Sequence, residues 1–466
     1  MKTNLFKKKS QINAPVETVF NWHARPGAIK RLSPPWDPLE VIHSSGGIHI
    51  GAQVVMKMKT GPIHYKWHAR HIEYEKNSMF KDIQISGPFS KWVHTHRFEP
   101  IGNDRCLLED TIEYALPFHP ISTVIMDGFV QKKLNRIFTY RHHTTIDDIA
   151  GHQSAKQHGP LTILLSGASG LIGSTLIPFL TTGGHNVLKL VRRPPDKDKN
   201  EIYWDPASGK LDLNAIAPID IVIHLSGENI GEGRWTKEKK KRIINSRVKS
   251  TRLIAETISK METPPKAFLC ASAIGYYGNR GDTVLTETDK PGDDFISNVC
   301  RMWEKSADAA AQTGIRTVFL RFGIVLSPQG GALGKLLLPF QLGMGGKISS
   351  GRQFMSWIGI DDAVGAIHHT IFNDQITGPV NLVSPHPSTN KEFTRILSNV
   401  LSRPSCFTIP KKAIEIAFGK EMGRETILSS TRVKPAVLEK VGYQFRHPGL
   451  ASALAHLLGK NNENLS

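Results

Sequence analysis

Three regularly spaced glycines after an apolar run are the residues whose pattern most clearly predicts chemistry. Residues 163–173 read ILLSGASGLIG, with a buried-strand pattern before the glycines and a helical pattern after them. In such a turn Gly167 permits the tight bend, Gly170 lets backbone approach a pyrophosphate, and Gly173 lets the helix pack close to the strand. An ordinary tight turn is the alternative, but the flanking elements favour a dinucleotide site. Its predicted cofactor-binding residues are Gly167, Ser169, Gly170, Leu171, Ile172 and Gly173.

The ends of the next candidate strands indicate which dinucleotide is bound. Arg192 and Arg193 stand where an NAD-preferring domain places an acidic residue for the ribose 2′-hydroxyl. Guanidinium groups suit a 2′-phosphate, so the sequence predicts NADP(H), with NAD(H) less favoured, unless both arginines are only solvent-facing turn residues. His224 is expected to be a buried, hydrogen-bonded strand residue. Further predicted cofactor-binding residues follow the third strand: Leu225, Ser226, Gly227 and Glu228.

These residues need alternating strands and helices to position them. The sequence predicts parallel βαβ units, with strands at 162–166, 186–191, 220–225, 266–272 and 316–321. Before them, alternating runs predict strands at 52–58, 65–72 and 107–114, followed by an amphipathic helix between Ile121 and Tyr140. Short helices and loops are expected from about residue 392. The predicted domains are 1–150, a polar linker at 151–161, 162–403 and 404–460.

Composition and charge bound the function. The chain has 466 residues and a net charge of +18. The first 150 residues hold 20 Lys and Arg against 14 Asp and Glu, so the basic excess is spread evenly and no nucleic-acid face is predicted. The basic run Lys237–Arg242, followed by Arg247, fits a solvated helix face or a contact to anionic ligand groups. Four single cysteines indicate neither a disulfide framework nor a zinc ribbon. With no secretion signal and no membrane span recognised, a cytoplasmic protein is expected.

The middle region resembles the extended, atypical short-chain dehydrogenases/reductases, in their NAD-dependent epimerase-like branch. The resemblance is carried by GASGLIG at 167–173, HLSGE at 224–228, SAIGYYG at 272–278, LRFGIVL at 320–326 and WIGIDD at 357–362. It implies an α/β Rossmann-type doubly wound parallel sheet. The tail, ending in GYQF at 442–445, resembles the small, mainly helical C-terminal domain of unknown function that accompanies this branch.

The first 150 residues resemble the helix-grip SRPBCC (START-like) domains. APV at 14–16, FNW at 20–22, PPW at 34–36, GPF at 87–89 and LEDT at 108–111 carry the likeness. It implies an α+β domain in which a curved antiparallel sheet grips a long helix around an apolar cavity. The expected partners are therefore a small-molecule substrate and a hydrophobic ligand of this domain, with no nucleic acid and no membrane span.

The family's proton-transfer pair, a tyrosine and a lysine four residues later, is replaced here by Cys300 and Glu304. Two hypotheses remain open. In one, an NADP(H)-dependent oxidoreductase or nucleoside-diphosphate-sugar epimerase-like enzyme uses Ser272 and Tyr276, or the adjacent Tyr277, as catalytic residues. Arg321, which is also counted with the cofactor-binding residues, then supplies a cationic neighbour. In the other, the domain binds NADP(H) without turnover, as a sensor or scaffold.

Two further groups of polar residues invite a functional interpretation. Alternation along a strand puts His94 and His96 on one face, but no third ligand stands at a diagnostic spacing, so no metal site is predicted. Asp361 and Asp362 either line the substrate side or cap a helix beginning at Ala363, and capping is expected for at least one of them.

Overall fold

A seven-stranded antiparallel sheet and one long helix dominate the first of two compact units. The computed structural model describes residues 3–60, 63–117, 123–213, 216 and 218–460, and the first unit consists mainly of residues 1–157. Its strands are paired in the order β1-β7-β6-β5-β4-β3-β2. The strands are β1 (Asn4–Ile12), β2 (Glu40–Ser45), β3 (Gln53–Thr60), β4 (Ile63–Glu75), β5 (Met79–Ser86), β6 (Lys91–Ile101) and β7 (Arg105–Ala115). The helices are α1 (Val16–Ala24), α2 (Ala28–Arg31) and α3 (Thr123–Gln153).

Helix α3 is longer than the sequence predicts. Beyond Tyr140 its residues are largely polar, which is why the periodicity points to an earlier end. The structure buries several of them nevertheless: Asp148 accepts two hydrogen bonds from the buried Arg31, at 2.6 and 2.8 Å. Ile149 is also buried, in the cluster that includes Phe20 and Phe98. Tertiary packing therefore maintains a helix whose own pattern fades.

The second unit, mainly residues 158–455, contains the predicted doubly wound sheet. Its strand order is β11-β10-β9-β8-β12-β13-β15-β20, parallel except at the β10–β11 pair. The strands are β8 (Thr162–Ser166), β9 (Asn186–Val191), β10 (Glu201–Asp205), β11 (Lys210–Leu211), β12 (Ile221–His224), β13 (Ala267–Ala273), β15 (Arg316–Phe322) and β20 (Gly378–Leu382). The order reverses between β8 and β12, which creates the crevice where such sheets bind ligands.

Short strands and eleven α-helices account for most of the remaining described structure of this unit. The short strands are β14 (Val284–Leu285), β16 (Ile324–Leu326), β17 (Gly346–Ile348), β18 (Phe354–Met355), β19 (Trp357–Gly359), β21 (Ser388–Thr389), β22 (Phe407–Ile409) and β23 (Arg432–Val433). The helices are α4 (Leu171–Thr182), α5 (Lys237–Ile258), α6 (Phe295–Lys305), α7 (Asp308–Gln312), α8 (Gly331–Gln341), α9 (Ile360–Phe372), α10 (Asn390–Leu401), α11 (Lys411–Phe418), α12 (Lys420–Met422), α13 (Ala436–Lys440) and α14 (Leu450–Leu458).

The C-terminal region is mainly helical, as the sequence predicts, and it is joined to the sheet region by strand pairing. β22 pairs with β17 and β23 pairs with β14, both in parallel. No helix among the described residues is long and apolar enough to cross a lipid bilayer.

Candidate functional site

Close backbone approaches shape the glycine turn between β8 and α4. Gly167 has φ +81°, and a Cβ atom on it would lie 2.8 Å from the backbone carbon of Leu225. A Cβ atom on Gly173 would lie 2.3 Å from the carbonyl oxygen of Gly167. At Gly170 the same construction meets one atom within 4 Å, that oxygen at 3.3 Å. Two glycines therefore allow tight internal packing, and the third leaves one side of the backbone open.

The start of α4 lies beside this open side, at the switch point of the sheet. Ser169 and Gly170 are exposed, whereas Leu171 and Ile172 are half-buried. The first amides of a helix have no partners within it and carry its positive dipole end. This arrangement suits a pyrophosphate.

The structure distinguishes the two arginines at the end of β9. Arg193 donates to Glu201 Oε1 at 2.7 Å and to the carbonyl oxygen of Pro194. Arg192 is exposed and has no hydrogen bond or ion pair within the described structure. Arg192 is therefore the arginine with free donors for a phosphate.

In the segment after β12, the Glu228 carboxylate already forms an ion pair within the protein. Glu228 Oε1 accepts from Lys239 of α5 at 2.7 Å, and its amide donates to Ser246 Oγ at 3.0 Å. The ion pair with Lys239 lowers the pKa of Glu228. Leu225 and Ser226 are half-buried and Gly227 is exposed, so their backbone, more than Glu228, is available to a ligand.

His224, at the end of β12, is a satisfied core residue, as the sequence predicts. It is fully buried, with Ser166 Oγ 2.6 Å from Nδ1 and Ser250 Oγ 3.0 Å from Nε2. Burial lowers its pKa to about 3.

Arg247 on α5 is a cation at this edge that the predicted residue set does not include. A Cβ atom on Gly227 would lie 3.2 Å from its guanidinium carbon, which stacks 4.8 Å from the ring centre of Trp303. Burial lowers the pKa of Arg247, and no carboxylate of the described residues forms an ion pair with it. The available signal was its membership in the basic stretch, which fits a solvated face equally well.

Ser272 and Arg321 form one row across the sheet with Asn381. The three are register partners on β13, β15 and β20. Arg321 donates from Nε and Nη2 to the two carboxylate oxygens of Glu304, each at 2.9 Å, and Ser272 Oγ donates to Oε1 at 2.7 Å. Burial opposes the charge of Arg321, but the hydrogen bonds and charge of Glu304 raise its pKa above the usual value. Ser272 and Arg321 are each 3% exposed, and both are hydrogen-bonded to Glu304. This environment does not favour direct cofactor binding by Arg321.

The two tyrosines beyond β13 have different environments. Tyr277 is fully buried, donates to Asn381 Oδ1 at 2.7 Å and accepts from Arg321 at 3.0 Å. Burial raises its pKa to about 12, so it is a poor proton donor or base. Tyr276 is half-buried, and the Arg321 guanidinium carbon lies 3.5 Å from its ring centre. Of the two phenols, Tyr276 is the one accessible to a substrate.

The middle region of the chain matches a known protein family. Residues 163–386 match the NAD dependent epimerase/dehydratase family. An epimerase family protein of Mycobacterium tuberculosis is 38% identical over 294 residues, which cover 63% of this chain and 96% of the relative. The chain belongs to the epimerase family. Human epimerase family protein SDR39U1 is 34% identical over 302 residues, covering 64% of the epimerase-family chain described here and 100% of the human protein.

Two solved structures extend the family comparison. A nucleoside-diphosphate sugar epimerase from Corynebacterium glutamicum has 31% identity and a TM-score of 0.80, covering 99% of this chain and 91% of its own. Human SDR39U1 isoform 2, solved with NADPH, has 33% identity and a TM-score of 0.59, covering 64% and 99%. Outside the epimerase region, residues 12–138 match "Polyketide cyclase / dehydrase and lipid transport" and residues 409–457 match a domain of unknown function. The predicted family resemblances of all three regions are confirmed.

This epimerase-family chain keeps Cys300 and Glu304 close to the end of β13. Cys300 is buried, and burial raises its pKa to about 12, so it is not a thiolate near pH 7. Glu304 binds Arg321 and Ser272, as described above. The helix that carries a tyrosine and a lysine in related reductases therefore contributes Glu304 here, which binds residues near the carboxyl ends of β13 and β15.

The predicted helix cap at Asp361 or Asp362 is wrong. α9 begins at Ile360, its N-cap is Gly359, and no side chain caps it. The Asp362 carboxylate instead accepts from the backbone amides of Arg446 at 2.6 Å and His447 at 3.0 Å. Sequence alone placed the helix start three residues too late, because no polar N-cap marks it.

Proposed function

We propose that this chain binds NADP(H) at the glycine turn and acts as an NADP(H)-dependent oxidoreductase or nucleoside-diphosphate-sugar epimerase-like enzyme. The observation that carries the proposal is the pair of close approaches at Gly167 and Gly173, which leaves Gly170 and the first amides of α4 open at the switch point. The structure of the human relative was solved with NADPH, which supports the same cofactor for this chain. The predicted domains, 1–150, 162–403 and 404–460, remain part of this proposal.

Selectivity for the 2′-phosphate is assigned to Arg192. Its guanidinium is exposed and unpartnered in the described structure, whereas Arg193 is held by Glu201. A charge-assisted hydrogen bond contributes about 1.5–3 kcal/mol, which corresponds to roughly 10- to 100-fold in affinity.

Titration of NADPH and NADH, followed by nicotinamide fluorescence, tests this assignment. Arg192→Ala should weaken NADPH by about 10- to 100-fold and leave NADH almost unchanged. Arg193→Ala is the matched control and should weaken NADPH less. Equal loss of both cofactors, or unchanged NADPH affinity in Arg192→Ala, would overturn the assignment.

For the chemical step we assign proton transfer to Tyr276 and a supporting hydrogen bond to Ser272. The contact between Arg321 and the Tyr276 ring supports this role, because the guanidinium stacked on the ring fixes the orientation of the phenol at the end of β13. Turnover is measured on a panel of carbonyl and sugar-nucleotide substrates. Tyr276→Phe and Ser272→Ala should lower kcat by at least about 100-fold with cofactor affinity retained, and Tyr203→Phe, an exposed control on β10, should not.

A non-catalytic NADP(H) sensor or scaffold is the second candidate function. It is favoured by one observation, that Glu304 neutralises Arg321, the arginine whose guanidinium lies over both tyrosine rings. Tight NADPH binding with no turnover on the panel would support it. For the first unit, the match to lipid-transport proteins supports binding of a hydrophobic ligand.

A further inference from the structure

A row of titratable side chains lies on the helix-facing side of the first unit's sheet. His94 and His96 alternate along β6 and therefore face the same way. In register, Asp82 on β5 is opposite His94, and Asp110 on β7 is opposite His96. His142 of α3 reaches the same place, with Nε2 2.8 Å from Asp110 Oδ2. The surroundings are apolar: the ring of Phe80 stacks 4.1 Å from that of His96.

The Asp110 carboxylate lies beside one ring nitrogen of each of the three histidines, His94, His96 and His142. His94 Nε2 lies 2.8 Å from Asp110 Oδ1, and His96 Nδ1 lies 2.6 Å from the same oxygen, although without the angle of a hydrogen bond. His142 is fixed at its other nitrogen by Ser10 Oγ, at 2.9 Å. A carboxylate behind a histidine is the usual outer partner of a metal-binding imidazole, because it fixes the tautomer and the ring orientation.

The opposite nitrogens converge on Asp82. Its Oδ2 lies 3.5 Å from His94 Nδ1 and 3.9 Å from His96 Nε2. One ligand atom from each of the three residues lies within 4.8 Å of the others. These separations are long for hydrogen bonds, but two ligands about 2.1 Å from one tetrahedral ion are ~3.4 Å apart.

We propose that Asp82, His94 and His96 bind a divalent transition-metal ion through Oδ2, Nδ1 and Nε2, with Asp110 as the positioning carboxylate. Two imidazoles and one carboxylate suit Zn²⁺, Fe²⁺, Co²⁺ or Ni²⁺, and not Mg²⁺ or Ca²⁺, which prefer oxygen ligands. Three protein ligands leave a coordination position open.

A further observation points to a ligand at this place. His71, opposite Asp82 on β4, has a buried Nδ1 with no hydrogen-bond partner among the described residues. A separate cavity of about 10 Å³, the size of a single water molecule, is lined by His96, Asp110, His142 and Arg141. Asp82 and His94 do not line it, so the ion is placed between the three ligand atoms and not in this cavity.

The imidazoles of His94 and His96 have a carboxylate on either side. Each of the two imidazoles has one nitrogen beside Asp110 and its other nitrogen towards Asp82. The carboxylates of Asp82 and Asp110 therefore lie on opposite sides of the histidine pair, one as a ligand and one as the outer partner.

Metal titration of the full, untagged and chelator-treated chain tests the proposal. Co²⁺ is added and its visible absorption followed, then Zn²⁺ is used to displace it. We expect one ion per chain and no competition by Mg²⁺. Asp82→Asn and His96→Gln should each weaken Co²⁺ by at least about 100-fold, and Asp110→Asn by 10- to 100-fold with a changed Co²⁺ spectrum.

Matched controls are exposed residues of the same unit. Asp104→Asn, with its carboxylate 86% exposed, and His64→Gln should leave Co²⁺ affinity within about twofold. Because a cluster variant can fail to fold, X-ray absorption of the Zn²⁺-loaded natural chain gives a second test: two imidazoles should appear at ~2.0–2.1 Å. No saturable binding, a shell without imidazole, or unchanged affinity in folded Asp82→Asn would overturn the site.

Discussion

Glu304→Gln removes the charge that accompanies the buried Arg321 while keeping the size of the side chain. The Arg321 side chain is 3% exposed and that of Glu304 is 12% exposed, and two hydrogen bonds of 2.9 Å join them. Removing one partner of such a buried pair costs about 3–5 kcal/mol, because the remaining charge stays in a medium of low dielectric constant. For a unit of about 300 residues, with an unfolding entropy of about 0.6 kcal/mol/K, that corresponds to a fall of about 5–8 °C in Tm.

The matched control is Glu415→Gln, which makes the same chemical change in the same unit. Glu415 pairs with Arg424 at 2.7 Å, but the Arg424 side chain is 49% exposed, so water and salt screen the pair. Exposed pairs contribute about 0.2–1 kcal/mol. Glu304→Gln should therefore destabilise the chain at least three times as much as Glu415→Gln.

Calorimetric unfolding measures both variants, with the double variant Glu304→Gln/Arg321→Met as a third. The double variant has no buried charge at this place, so the cost of removing the Arg321 charge from water disappears with it. The double variant should therefore recover most of the Tm lost in Glu304→Gln. If Glu304→Gln shifts Tm no more than Glu415→Gln does, the charge of Arg321 is not held by Glu304 and the reasoning fails.

Three other predictions concern the same unit. Gly173→Ala should abolish stable folding of the unit or NADPH binding, because its Cβ would lie 2.3 Å from a backbone oxygen. Gly170→Ala should keep the Tm of the natural chain but lose NADPH affinity. Calorimetry measures the Tm of each variant, and titration measures its NADPH affinity. The folded pKa of His224, about 3, lies below its unfolded value near 6.5, so the buried neutral imidazole stabilises the fold above pH 6.5. This stabilisation is lost as the pH falls, by about 2 kcal/mol between pH 7 and 5. The free energy of unfolding of His224→Gln, measured in urea, should therefore change less with pH. Arg247→Met should weaken NADPH and NADH alike in fluorescence titrations, since it faces Gly227 and not the end of β9.

The central strands were predictable from the sequence. β8 and β9 have the predicted bounds, and β12, β13 and β15 differ from theirs by one residue at one or both ends. Strands buried on both faces are short apolar runs, and turn residues bound them clearly. β10 was not predicted because exposed residues such as Tyr203 break its apolar run. β20 was not predicted because Pro379 and Asn381 interrupt its apolar pattern, although its last three residues are buried.

The glycine turn was predictable for a related reason, since its function depends on spacing within one continuous segment. The bond between Ser272 and Glu304 was not, because the two residues are 32 positions apart and lie on a strand and a helix. The sequence indicated that Glu304 could not replace a lysine. It could not indicate that Glu304 would neutralise Arg321, the cation expected to assist Tyr276.

The two polar clusters described above have the same structural origin, a row of residues that strand register places side by side on neighbouring strands. Ser272, Arg321 and Asn381 form such a row in the parallel sheet, and Asp82 with His94 forms one in the antiparallel sheet. Spacing along one strand reveals only the members two residues apart, which is why His94 and His96 were recognised without a third ligand. A strand's partners, and the offset between them, follow from the whole sheet. Spacing along the sequence therefore misses sites that are built across several strands of a sheet. In such a site the further ligand, here Asp82, is found on the neighbouring strand at the position paired with a recognised ligand, here His94.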